Sequence, residues 1–191
     1  MSLADEMTRS AEDASKVVVR LLMCLQNACK RCNANKHLLR TEGVLEWCVS
    51  KLELTTDVNV QQACLYLIAL ACERTKPNQE LIGRSSAFPR TFQLLSSDVV
   101  LVQDFATYLL RECCCTDVRF NQQAVRDSKA AAPLLAVLAS VDTKTISRQA
   151  RDVLRSCGYS EPWDMLERQG WAFRRPEAMS LVDKLDSLVD A

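Results

Sequence analysis

The sequence of 191 residues has little glycine, little histidine and no net charge. Its four glycines are too few for phosphate-cradling loops or for a series of tight β turns, which predicts an all-α chain. The one histidine excludes metal motifs that need two histidines. Basic and acidic residues balance at 24 each, so no overall field attracts nucleic acid or an anionic membrane.

Long apolar runs and a signal peptide are also absent. The apolar stretch 63–72 is shorter than the ~20 residues that cross a bilayer. The acidic start, Met1 to Glu6, lacks the basic and then apolar layout of a signal peptide. Without a secretion signal, the ten cysteines favour reduced thiols over a disulfide scaffold. We therefore expect a cytoplasmic or nuclear protein that does not insert into membranes.

The sequence does contain a repeat of 43 residues, because Asn35, Asn78 and Asn121 recur at this interval and each opens a similar segment. Eight residues after each asparagine the apolar pattern breaks, and a second apolar stretch follows. The breaks fall at Gly43, Ser86 and Lys129, and the second stretches cover 44–54, 87–95 and 130–139. This pattern predicts a short helix, a corner and a second helix in each unit.

A third helix is predicted to complete each unit. Its expected N-caps are Asp57, Asp98 and Asp142 with Thr143, and its recurring alanines are Ala63, Ala106 and Ala150. Cys29, Cys72 and Cys115 also lie 43 residues apart, which marks a small apolar packing position. A period near 43 is typical of armadillo and HEAT arrays, whose units bury their apolar faces by stacking on one another.

The predicted organisation follows from this period. The predicted parts are a flexible N-terminus (1–12), an armadillo-like repeat domain (13–158), an aromatic connector (159–176) and a C-terminal amphipathic helix (177–191). The repeat domain divides into a cap helix (13–31) and repeats over 35–75, 78–115 and 121–158. The cap helix aligns with the third helices and is interpreted as a truncated first unit.

Three segments carry a resemblance to the armadillo-repeat family: Asn35–Trp47, Asn78–Phe92 and Asn121–Leu135 resemble its first helix, corner and second helix. Gly43 matches the family's corner glycine, whereas Ser86 and Lys129 depart from it. The resemblance covers about residues 13–158 and implies a right-handed α-solenoid that serves as a non-enzymatic protein-binding scaffold.

Narrower likenesses suggest further leads. Residues 25–35 resemble a segment of the ataxin-ten group of armadillo proteins. The array is also similar to armadillo exchange factors for cytosolic chaperones, so a chaperone cofactor is an alternative function.

The resemblance implies that the third helices line a concave face, where peptide-binding members carry a ladder of Trp and Asn. Of the equivalent positions only Asn27 matches, so recognition of an extended basic peptide is not expected. An apolar groove with a charged rim remains, which suits an amphipathic helix of a protein partner. The candidate groove residues are Met23, Asn27, Tyr66, Leu70, Phe105, Leu109 and Cys113, with Arg20 and Lys30 at the rim. Alternatively, these residues are packed between neighbouring helices.

The tail after Pro176 places apolar residues at three- and four-residue spacing from Met179 to Val189, which predicts an amphipathic helix. Three roles stay open for it: a cap on the last repeat, an occupant of the groove, or a partner-binding segment. The preceding connector supplies the tail contact candidates Trp163, Trp171, Arg174 and Arg175, since aromatic residues and arginine are enriched at interface hot spots.

The cysteines suggest an alternative function of another class, a thiol-based redox or zinc-binding protein. Cys29 and Cys32 have the C-x-x-C spacing of redox and zinc sites, although no second such motif completes four zinc ligands. Cys113 to Cys115 are consecutive, and helical residues turn through about 100° each, so the three cannot all face the core. Cys113 is predicted to be the accessible one. No catalytic constellation, metal site or cofactor is expected.

Overall fold

The computed structural model describes residues 3–139 and 141–159, with the backbone alone for residues 3–12. Within these ranges it consists of ten α-helices and no strand, which confirms the all-α prediction. The helices are α1 (Leu3–Cys29), α2 (Asn33–Thr41), α3 (Val44–Leu54), α4 (Val58–Cys72), α5 (Lys76–Gly83), α6 (Ala87–Leu94), α7 (Val100–Cys114), α8 (Arg119–Asp127), α9 (Ala131–Leu138) and α10 (Lys144–Ser156). None of these described helices is both long and apolar enough to span a membrane.

Helix α1 begins at Leu3, whereas the cap helix was predicted over 13–31. Its 27 residues contain no glycine or proline, and its first turns are rich in Ala, Leu, Met and Glu, which have high helix propensity. The helix ends at Cys29, two residues before Arg31 adopts a left-handed φ of 60°.

After α1 the helices follow as three trios, each with two short helices and one longer one: α2–α4, α5–α7 and α8–α10. The predicted second stretches coincide with α3, α6 and α9 to within a residue at each end. The first corner needs its glycine, since Gly43 has a φ of 71°. Ser86 occupies the second corner with a φ of −63°, so glycine is not required there.

The starts of the longer helices differ in their capping. Asp57 caps α4 as predicted, because its carboxylate accepts hydrogen bonds from the backbone N–H groups of Asn59 (2.8 Å) and Val60 (3.4 Å). The prediction for Asp98 is wrong: Val99 is the N-cap of α7, and its N–H donates to the Ser97 hydroxyl at 3.2 Å. Thr143 stands at the N-cap of α10 without a side-chain hydrogen bond.

The longer helices pack in succession, with α4 against α1 and α7, and α7 against α10. The recurring alanines Ala63, Ala106 and Ala150 are buried at 7%, 0% and 0% exposure, as small residues between close helices should be. Gln26 of α1 also donates to the Ala63 carbonyl at 2.9 Å, which ties α1 to α4. The apolar core therefore runs continuously from one longer helix to the next.

The repeated asparagines fasten each trio to the one before it. The Asn78 side-chain amide donates to the carbonyl of Ala71 (2.8 Å) and to the carbonyl of Lys36 (3.0 Å), one trio earlier. Asn35 makes only the bond that corresponds to Asn78–Ala71, to the Ala28 carbonyl at 2.6 Å, since no trio precedes it.

Asn121 repeats the arrangement of Asn78. Its amide donates to the carbonyls of Cys113 (3.0 Å) and Gln79 (3.2 Å). Asn78 and Asn121 are both fully buried, and each donates to one carbonyl in the last turn of a longer helix and to a second carbonyl in the previous trio. The 43-residue period is thus a period of buried hydrogen bonds as well as of apolar residues.

Candidate functional site

The predicted groove residues divide into three groups by burial. Arg20, Met23, Asn27 and Lys30 are exposed, Tyr66 and Phe105 are half-buried, and Leu70, Leu109 and Cys113 are buried at 6%, 0% and 0% exposure. The prediction that these last three line an accessible groove is wrong, since they belong to the core. The alternative of packing between helices holds for them.

The reason is a rotation of the accessible face of α7. The prediction took residue 109 as the equivalent of Tyr66, but the half-buried residues of α7 on this side are Phe105, Tyr108 and Glu112. Spacings of three and four place these residues on one face, and Leu109 lies to one side of it. The face is therefore turned by about one residue from the predicted register.

An aromatic patch, consisting of Tyr66, Phe105 and Tyr108, bridges α4 and α7. The rings of Tyr66 and Phe105 stack with centroids 4.8 Å apart and planes at 23°, and Tyr108 lies 6.3 Å from Tyr66. Such ring pairs contribute about 0.5–1.5 kcal/mol beyond the area they bury. The patch thus joins two helices while leaving part of each ring accessible.

Charged groups flank the aromatic patch on both sides. Lys30 places its Nζ 5.9 Å from the ring centroid of Tyr66, and the guanidinium carbon of Arg111 lies 5.2 Å from that of Tyr108. Both distances are within reach of cation–π attraction. Arg111 also forms an ion pair with Glu112 at 2.6 Å. The patch therefore combines apolar rings with a fixed set of cations and a carboxylate.

The Tyr108 hydroxyl is protonated at neutral pH, and burial and two nearby carboxylates raise its pKa further. Desolvation raises the pKa of Tyr108 most, and the charges of Glu112 and Glu73 raise it further, against a smaller opposing effect of Arg111. Glu73 is held in place by the buried Lys36, whose Nζ lies 3.0 Å from both its carboxylate and its carbonyl oxygen. The hydroxyl of Tyr108 is thus available as a hydrogen-bond donor.

Arg20 and Met23 precede Asn27 on the face of α1 that borders the patch. They line a surface groove of about 500 Å³ between α1 and the start of α4, together with Ser15, Lys16, Val19, Asp57 and Asn59. Asn27 accepts a hydrogen bond from Lys30 Nζ at 3.2 Å and so borders the patch. The structure thus brings together Asn27, Lys30, Tyr66 and Phe105, while Arg20 and Met23 lie one to two turns before Asn27 on the same face of α1, where they line this groove.

The thiol alternative finds little support at Cys29 and Cys32. Cys29 is 1% exposed, and burial raises its pKa, so it is a packing residue, as its place in the repeat predicts. Among the described residues, no group of three or more His, Cys, Asp or Glu side chains is arranged to hold a metal ion. His37 is exposed beside Arg40, whose Nη2 lies 2.9 Å from its Nδ1.

The three consecutive cysteines are placed differently from the prediction. Cys113 and Cys114 are buried, whereas Cys115 is exposed. Helix α7 ends at Cys114, so Cys115 leaves the core instead of packing as its repeat position predicted. It accepts a hydrogen bond from the Ser156 hydroxyl at 3.1 Å.

A basic stripe on α10 was not predicted from the sequence, because the balanced net charge conceals it. Four exposed cations at spacings of four, three and four share one face of the helix beside a surface groove of about 430 Å³. The stripe consists of Lys144, Arg148, Arg151 and Arg155. The guanidinium of Arg151 is fixed by donating to the Ala139 carbonyl at 2.9 and 3.1 Å.

The tail contact candidates, Trp163, Trp171, Arg174 and Arg175, lie outside the described residues, as do the rest of the connector from residue 160 and the amphipathic helix predicted over 177–191. No family model matches the sequence, and no curated protein matches it.

Proposed function

We propose that the protein is a non-enzymatic adaptor with an armadillo-like solenoid architecture, and that it binds a segment of a protein partner at the aromatic patch. The observation that carries the proposal is the patch itself: three half-buried rings on two adjacent helices, flanked by fixed charges. Tyrosine, tryptophan and arginine are enriched at binding hot spots, and aromatic rings bury large areas at low entropic cost.

Rigidity of the helix array supports the same proposal. The paired hydrogen bonds of Asn78 and Asn121 link successive trios, and the stacked rings link α4 to α7. A preformed surface loses little conformational entropy when a ligand binds. The array therefore holds the patch in one geometry before a partner binds.

The chemistry of the patch favours an amphipathic helix as the bound segment. Its apolar side chains would cover Tyr66 and Phe105, and its carboxylates would pair with Lys30 and Arg111. The protonated hydroxyl of Tyr108 would donate to an oxygen acceptor of the partner.

Site-specific photo-cross-linking in cells tests this proposal. A photoreactive phenylalanine analogue at Phe105 should attach to one partner, whereas the same analogue at Leu54, which is 81% exposed on α3, should not attach to it. Tyr66→Ala with Phe105→Ala should then weaken binding of that partner at least tenfold while the circular dichroism stays helical. Equal labelling from both positions, or unchanged affinity of the double variant, would contradict the proposal.

A further inference from the structure

Helix α1 carries an apolar stripe that no described helix covers. The stripe consists of Val17, Leu21, Cys24 and Ala28. Spacings of four, three and four place these residues within about 60° of one another around the helix axis. Val17 and Leu21 are 64% and 50% exposed, and Cys24 and Ala28 are exposed too. The stripe is therefore an apolar strip of surface along one side of α1.

The repeat explains why these positions are apolar. Their counterparts on α4, 43 residues later, are buried to between 0% and 4% exposure: Val60, Cys64, Leu67 and Ala71. Helix α4 packs against both short helices of its own trio, α2 and α3. No such pair of short helices precedes α1 among the described residues. The stripe is thus the face of a longer helix that a complete trio would bury.

The charges of α1 are separated along its length. Residues 3–15 contain four acidic residues and one basic residue, a net charge of −3. Residues 16–31, which extend just past the end of the helix, contain four basic residues and no acidic one. Asp13 and Lys16 pair at the boundary at 3.1 Å, but both side chains are 63% exposed, so water screens this pair. Helix α1 therefore has an acidic half and a basic half.

This separation of charge favours a second copy of α1, in antiparallel orientation, as the cover of the stripe. The acidic half of each helix would then lie against the basic half of the other, whereas a parallel pair would bring like charges together. The helix dipoles would also be opposed. The complementary charges are on the chain itself, so the same surface serves both copies.

The side chains of the stripe fit the same arrangement. A two-fold axis midway along the stripe places Leu21 of one copy opposite Cys24 of the other, and Val17 opposite Ala28. In a two-fold symmetric interface each of these contacts occurs twice. Each larger side chain thus meets a smaller one, which lets the two helices approach closely.

We propose that the chain forms a two-fold symmetric dimer through antiparallel packing of α1 along this stripe. One helix from each copy covers less than the roughly 800 Å² per partner that stable complexes bury, so we expect a weak dimer. Its dissociation constant should lie between about 1 and 100 μM. The aromatic patch lies on α4 and α7, so the dimer would carry two patches, one on each copy.

Sedimentation equilibrium of the full chain, at concentrations from about 1 to 500 μM, tests the dimer. Leu21→Glu should raise the dissociation constant about tenfold or more, because it would bury a carboxylate against Cys24 of the other copy. Leu54→Glu is the matched control, since Leu54 is an 81% exposed leucine on α3, and it should leave the constant unchanged. If Leu21→Glu loses helical circular dichroism, Val17→Glu provides the same comparison.

Two results would overturn the dimer. One is a chain that stays monomeric at the highest concentration. The other is an unchanged dissociation constant in a folded Leu21→Glu or Val17→Glu variant, which would place the interface elsewhere.

Thiol cross-linking tests the antiparallel orientation. The variant Ala14→Cys is treated with a short bismaleimide, and its tryptic peptides are mapped. Residues 14 and 32 of one copy are about 27 Å apart along the helix, too far for such a linker, whereas across an antiparallel pair residue 14 lies opposite Cys32. The expected product joins residues 10–16 to residues 32–36. A product that joins residues 10–16 of two copies, or a dimer with neither product, would overturn the arrangement.

Discussion

Asn121 lies against the face of Gly83 that would carry a side chain. A Cβ built on residue 83 would overlap Asn121 Oδ1, and it would lie 2.6 Å from the Cγ of Asn121 and 2.8 Å from a ring carbon of Phe120. Asn121 Oδ1 has no N–H or O–H donor among the described residues, while its amide nitrogen makes both of its bonds to carbonyls. Gly83 therefore leaves the room that the Asn121 amide needs.

Substitution Gly83→Ala should lower the free energy of unfolding by about 2–3 kcal/mol, because the added methyl group displaces a hydrogen-bonded side chain from a closed site. Urea denaturation followed by circular dichroism measures it. Gly43→Ala is the matched control. A Cβ added at residue 43 would lie in open space, so only the left-handed φ should lower the free energy of unfolding, by about 1 kcal/mol. Equal costs for the two variants would show that Asn121 moves aside freely.

Asn78→Ala and Asn121→Ala should each cost about 2–4 kcal/mol, since each removes two buried hydrogen bonds. Asn35→Ala should cost about 1 kcal/mol, because Asn35 makes one such bond and is half-buried. Denaturant midpoints with a common slope give the comparison. If all three substitutions lower the free energy of unfolding equally, the hydrogen bonds between trios contribute nothing measurable to stability.

Leu109→Glu should remove cooperative unfolding or lower stability by more than about 4 kcal/mol, since it buries a carboxylate in the core. Phe105→Glu, four residues away on the accessible face, should keep the protein folded and lower stability by about 1–2 kcal/mol through loss of the Tyr66 stack. Thermal unfolding distinguishes the two. A soluble, fully helical Leu109→Glu variant would show that residue 109 is accessible and not part of the core.

Asp104→Asn should raise the urea midpoint at pH 7. Burial raises the pKa of Asp104, and its Oδ1 has no hydrogen-bond partner among the described residues. A raised folded-state pKa means that the charge destabilises the folded state above that pKa, and that this cost disappears at lower pH when the group is protonated. The gain should therefore shrink as the pH falls toward 4.

The exposed Asp98→Asn is the matched control for Asp104→Asn, because water already solvates its carboxylate. It should leave the urea midpoint unchanged at both pH values. A similar gain from both substitutions would attribute the effect to net charge and not to burial.

The helices were predictable because their signals are local. The breaks after Asn35, Asn78 and Asn121 predicted where α3, α6 and α9 begin, and Asp57 was correctly predicted as the N-cap of α4. Helix α1 begins ten residues before the predicted cap helix, and nothing in the composition of residues 3–12 ends a helix.

The accessible surface was harder to predict, because it depends on how helices rotate against one another. Counting 43 residues from Tyr66 leads to Leu109, whereas the stacking partner of Tyr66 is Phe105. A repeat fixes the order of helices along the chain, but the side chains between α4 and α7 decide which face turns outward. Tyr108 was missed for the same reason.

The asparagine hydrogen bonds set a rule for how such a chain can change in length. Asn78 and Asn121 each reach a carbonyl 42 residues earlier, so the bond depends on the helices between the two atoms keeping their lengths, and duplication of a whole trio with its asparagine would reproduce it. An insertion or deletion of a few residues within α3 or α4 would move the amide away from its carbonyl. In evolution, as in engineering, this array would therefore be expected to grow or shrink by whole trios.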